Sequence, residues 1–95
     1  MRALEVAPQV YATGQLFESD LQLVAKQRVR SIVDTRPDHK GPGQTPLADL
    51  VKAAREQGIT LLHFPVDSGR IAEDVAEAFA NVCSELERPL LVCGN

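Results

Sequence analysis

The chain has no tryptophan, and aromatic residues make up only 4% of it. Its core must therefore rest on Val, Leu, Ile and Ala. Lys and Arg number 10 against 13 Asp and Glu, a net charge of −3. No broad basic field is present, which argues against a nucleic-acid partner. No apolar run approaches the roughly 20 residues of a membrane span, so no membrane association is expected. The N-terminus also lacks the basic-then-apolar pattern of a secretory signal. Cytoplasmic localisation is the default expectation. Cysteine is scarce: Cys83 and Cys93 do not make a disulfide framework. With two histidines at unrelated spacings they do not make a zinc site either, so no metal and no cofactor are expected.

What is present is an ordinary globular composition, 44% apolar and 24% charged, in 95 residues. That length suits a single domain with one small core. Residues 4–6 and 10–13 are short, apolar and β-prone, and read as an opening strand pair. Ser19 is the predicted N-cap of a helix over 20–27, with Leu21, Val24 and Ala25 facing inward. Residues 30–35 read as a buried strand, and Pro37 holds Arg36 extended. A loop over 38–44 precedes a helix over 46–57, with Thr45 as its cap and Pro46 at its first position. Leu47, Leu50, Val51 and Ala54 line one face of that helix. Gly58 stands where a left-handed C-cap belongs. A strand over 59–64 follows, closed by Pro65. Ile71, Val75, Ala78, Phe79, Val82 and Leu86 then recur at helical spacing, with Cys83 packed beside them. Residues 90–92 form a last apolar strand. The predicted order is β-β-α-β-α-β-α-β. It defines an α/β fold, a mostly parallel sheet flanked by helices.

In such sheets ligands bind beyond the carboxyl ends of the strands. Three of those ends bring chemistry: Asp34, Thr35 and Arg36; Val66, Asp67 and Ser68; Cys93, Gly94 and Asn95. Cys93 is the sharpest candidate. A cysteine that leaves a buried strand and is followed by glycine begins a loop whose N–H groups can form an anion nest. Such N–H groups lower a thiol's pKa and make a thiolate available to attack phosphorus or sulfur. Cys93 reads equally as a buried structural cysteine at a strand end. Asp67 is placed to act as a general acid or as a turn residue. Arg36 is placed to hold an anion bidentately, or to pair with Asp34 or Asp38. Lys40 and Arg70 offer electrostatic steering. His63 reads as a satisfied strand histidine, and His39 has no evident partner.

Several segments together resemble one family. They are Tyr11-Ala12-Thr13-Gly14-Gln15, Val33-Asp34-Thr35-Arg36-Pro37-Asp38, Gly43-Gln44-Thr45-Pro46, Phe64-Pro65-Val66-Asp67-Ser68-Gly69 and Leu90-Leu91-Val92-Cys93. In order and spacing they are similar to the phosphatase-like domain of beta-lactamase hydrolase-like proteins, relatives of the dual-specificity phosphatases. The resemblance implies a cysteine phosphatase-like fold and hydrolysis of phosphate monoesters through a phosphocysteine. It makes Cys93 the nucleophile and Asp67 the general acid. Arg36, Gly94 and Asn95 would then contact a phosphate- or sulfur-containing substrate. The family signature Cys-x5-Arg runs past Asn95. The expectation is thus a single domain over 1–95, incomplete after Asn95, with its last helices missing, weak or inactive as it stands. The last strand would expose apolar surface for an oligomer or partner to cover. Two other functions fit these residues: a non-catalytic anion- or protein-binding module, and a rhodanese-like carrier with a persulfide on Cys93.

Overall fold

The structure is a computed structural model that describes residues 2–37, 45–66 and 72–94. Five strands and three α-helices alternate. They are β1 (Leu4–Ala7), β2 (Val10–Ala12), α1 (Leu21–Lys26), β3 (Ser31–Asp34), α2 (Leu47–Glu56), β4 (Thr60–His63), α3 (Glu73–Glu85) and β5 (Leu90–Cys93). A single 3-10 turn, Glu18–Asp20, leads into α1. The sheet order is β1-β2-β5-β3-β4. β1 and β2 form an antiparallel hairpin, and the pairs β2–β5, β5–β3 and β3–β4 are all parallel. The expected α/β class and element order are what the structure shows.

Crossover handedness decides the layers. The chain moves one way along the sheet from β2 to β3 to β4, then reverses to place β5 between β2 and β3. Right-handed crossovers therefore put α1 and α2 on one face and α3 on the other. Leu21 and Val24 of α1, Leu50 and Ala54 of α2, and Ile32, Leu91 and Cys93 of the sheet join in one buried cluster with Leu16 and Ile59. Alternation along the strands turns Val33 and Leu90 to the opposite face. There Phe79 of α3 meets Phe64 edge-on, with ring centroids 5.4 Å apart. α3 itself contains no buried residue.

The helix ends test the capping expectations. α2 closes with a Schellman motif: Gly58 N–H donates to Arg55 O at 3.0 Å and Ile59 N–H to Ala54 O at 2.9 Å. Gly58 takes the left-handed φ of +74° that the motif requires. α1 ends with Arg28 in the left-handed region at φ +64°, its N–H donating to Ala25 O at 3.0 Å, a side chain where glycine is favoured. The two predicted N-caps are corrected. Ser19 lies inside the 3-10 turn, and it is Asp20 that reaches back, accepting Phe17 N–H at 2.8 Å. Thr45 does not cap α2, whose N-terminal boundary residue is Pro46 with no side-chain cap. The carbonyl of Thr45 instead accepts from Arg36.

A further correction concerns the last strand. β5 was expected to carry exposed apolar surface, but it is the central strand, with Leu90, Leu91 and Cys93 all buried. The exposed apolar side chains lie elsewhere: Leu4 and Val6 on edge strand β1, Leu62 on edge strand β4, Val75 on α3, and Phe17 and Leu23 around α1. Among the described residues, no helix is long and apolar enough to cross a membrane.

Candidate active site

The carboxyl ends of β3 and β5 are neighbours, and Asp34 stands in register with Cys93. Beyond that pair the two strands are stitched together through one carbonyl. Cys93 O accepts the Thr35 N–H at 2.9 Å and the Thr35 hydroxyl at 2.8 Å. On the other side of β5, Thr13 N–H donates to Val92 O at 2.9 Å and Gly94 N–H to Gly14 O at 3.3 Å. The turn at Cys93-Gly94 is thus held from both neighbouring strands. Gly94 has φ +151°, and a Cβ placed there would overlap the Thr35 hydroxyl. Glycine is the residue this position demands, for backbone and for space.

Arg36 is buried, only 4% exposed. Its backbone N–H donates to Asp34 Oδ1 at 3.0 Å, and its Nε lies 3.6 Å from Asp34 Oδ2. Its Nη1 donates to the Thr45 carbonyl, tying the end of β3 to the start of α2. Its own carbonyl meets His63 Nε2 at 2.8 Å. The guanidinium expected to hold an anion is turned to Asp34 and Thr45. His63 is a satisfied strand histidine, as read from its position. Asp34, 2% exposed, is the buried carboxylate that pairs with Arg36, one of the partners the sequence offered for it. The signal available was its short separation from Arg36 across the bend that Pro37 enforces.

Cys93 is 2% exposed. Burial, and after it the Asp34 carboxylate, push its thiol up to about 12, while Arg36 pulls the other way. Burial and the Asp34 charge thus oppose the thiolate expected at neutral pH. Cys83 is half-buried on α3, and burial raises its thiol as well, against the pull of Arg88. Beside the site, on the α3 face, a cleft of about 270 Å³ is lined by Thr35, Val66, Val75, Ala76 and Phe79. The expected general acid Asp67 and the expected contact residue Asn95 lie outside the described residues, as do His39, Lys40 and Arg70.

The fold is shared with solved phosphatases. A provisionally assigned phosphatase from Neisseria meningitidis superposes with a TM-score of 0.87 at 25% identity, covering 96% of this chain and 65% of that one. The core catalytic domain of the PP-IP phosphatase Siw14 from S. cerevisiae, solved with citrate, gives a TM-score of 0.72 at 17% identity, covering 98% and 55%. The fold is that of the cysteine-type phosphatases. More narrowly, the chain belongs to the family of the beta-lactamase hydrolase-like protein, phosphatase-like domain, whose model matches residues 2–94. A beta-lactamase hydrolase-like protein from Agrobacterium fabrum is 29% identical over 90 residues. The match covers 95% of this chain but only 21% of that relative.

Proposed function

We propose that this domain is a phosphatase-like hydrolase module in which Cys93 is the nucleophile. The observation that carries the reading is Cys93 itself, at the carboxyl end of the central strand and followed by a glycine that the backbone requires. In the proposed reaction the Cys93 thiolate attacks the phosphorus of a phosphate monoester. A sulfur–phosphorus bond forms and the bond from phosphorus to the leaving oxygen breaks. Asp67 gives that oxygen its proton. Water then attacks the phosphocysteine, releasing inorganic phosphate and restoring the thiol.

Burial works against this chemistry: a thiol pushed up to about 12 supplies very little thiolate at neutral pH. The test is turnover of p-nitrophenyl phosphate at pH 7 by the full product of the source gene. That protein should turn over the ester and lose activity with Cys93→Ser. A silent protein, or one whose activity survives Cys93→Ser, overturns the assignment.

A further inference from the structure

Of the groups gathered at the sheet edge, the Asp34–Arg36 pair is the one the proposed chemistry does not use. Asp34 is a buried carboxylate in register with the candidate nucleophile. Nothing in phosphoryl transfer calls for an anion behind a sulfur that must itself become an anion. The structure accounts for its tolerance: Arg36 covers it, with Nε 3.6 Å from Oδ2 and the backbone N–H 3.0 Å from Oδ1. Arg36 is in turn anchored from two further elements, by the Thr45 carbonyl ahead of α2 and by His63 of β4 on its own carbonyl.

Among the described residues, the charges around the sulfur are few. β3 brings Asp34 and Arg36, and β4 brings His63, which is engaged with the Arg36 carbonyl. From α1 and α2 the cluster around Cys93 receives Leu21, Val24, Leu50 and Ala54, and from β2 it receives Tyr11. The charged residues of those helices, Lys26, Asp49, Lys52, Arg55 and Glu56, are exposed. Asp20, ahead of α1, is half-buried with its carboxylate on the Phe17 N–H.

We propose that Arg36 is a positioning residue for Cys93: it holds the Asp34 carboxylate in an ion pair beside the sulfur, and this pair sets how readily the thiol becomes a thiolate. The inference rests on reading Cys93 as the nucleophile. It replaces anion binding by Arg36 with control of the charge behind the nucleophile. The direction of each influence follows from Coulomb's law. Asp34 opposes ionisation of the thiol, Arg36 favours it, and the two partly cancel. Removing the guanidinium leaves the carboxylate uncompensated, whereas removing both charges leaves burial as the main barrier.

The test is the rate of Cys93 alkylation by iodoacetamide between pH 8 and 9.5, in a Cys83→Ser background. Below the thiol pKa this rate follows the thiolate fraction. Hydrogen exchange of residues 91–94 on the same samples reports opening of the strand. Asp34→Asn, which keeps an oxygen acceptor for the Arg36 N–H, should alkylate about tenfold faster, the size of a one-unit pKa change. Arg36→Gln should alkylate several-fold more slowly, and the double variant should be faster than Arg36→Gln but slower than Asp34→Asn. Arg36→Lys should lie between the parent and Arg36→Gln. An Arg36→Gln chain that alkylates faster whether or not Asp34 is present would make Arg36 a mere structural clamp and overturn the proposal. So would an unchanged Asp34→Asn rate, or a rise in alkylation matched by an equal rise in exchange. Phosphate-ester turnover is not read in this experiment. A failure here therefore leaves the phosphatase reading standing, and an absence of ester turnover leaves the charge pair standing.

Discussion

The helices on the two faces of the sheet are built from similar residues and end up differently buried. On one face α1 and α2 close over Ile32, Leu91 and Cys93, and Leu21, Val24, Leu50 and Ala54 disappear from solvent. On the other, Val33 and Leu90 are buried as well, but α3 above them, though longer and with an apolar stripe of its own, has no buried residue. Its main anchor is the edge-on meeting of Phe79 with Phe64. An apolar stripe states that a helix has something to hide. It does not state how much of the partner surface is within reach.

The contrast can be broken first by deletion. Leu50→Ala opens a cavity in the closed face and should cost about 2–5 kcal/mol in urea unfolding. That is a large share of the roughly 5–15 kcal/mol a small domain has in hand. Phe79→Ala, on the open face, should cost only about 1 kcal/mol, mostly the aromatic pair. Equal losses from the two variants would erase the distinction between the faces.

A second test uses the ionisable member of the closed face. The Cys93 thiol lies near 9 when unfolded and about 12 when buried. Between those values the unfolded chain binds fewer protons than the folded one, so stability falls as pH rises. The contribution is fully present below pH 9 and is lost on the way to pH 12, with a slope approaching about 1.4 kcal/mol per pH unit. Urea midpoints at pH 8, 9.5 and 10.5 should show this fall in the parent and a shallower one in Cys93→Ala. The smallest effect concerns α1, whose end is strained at Arg28 where α2 has Gly58. Arg28→Gly should stabilise the chain by about 0.5–1 kcal/mol, read as a shift in the same midpoint. No gain there would mean that the Arg28 side chain offsets its backbone strain.

Much of the fold was legible because its signals are local. Pro37 and Pro65 bracket strands, Gly58 closes a helix, and Leu47, Leu50, Val51 and Ala54 repeat at the helical period. The place of β5 was not legible in the same way. Its apolar run says that it is buried, but strand order depends on pairing between residues as far apart as Val10 and Leu90. The N-caps failed for a related reason: Ser19 and Thr45 are good caps by type, and the backbone chose each boundary one residue further on. At the site, Cys93 and Gly94 stood out because a cysteine-glycine pair after a buried strand is chemically unusual. The pairing of Asp34 with Arg36 was legible as an alternative from their short separation, but the burial of the pair was not. The expected role of Arg36 came from its type and position. Its burial against Asp34 and Thr45 is a tertiary property with no signature in the run of residues.

The insertion of β5 between β2 and β3 also sets a timetable. β2 and β3 do not pair with each other. Each joins the other through β5, which follows both of them in the sequence. Until Leu90–Cys93 leaves the ribosome, the hairpin β1–β2 and the β3–α2–β4 unit are separate pieces without a common sheet. The central contacts therefore wait for β5, and they join residues as far apart as Val10 and Leu90. Distant pairing of this kind slows folding and leaves unpaired strand edges exposed meanwhile. The strand that delivers the candidate nucleophile is thus also the one that joins the two parts of the sheet.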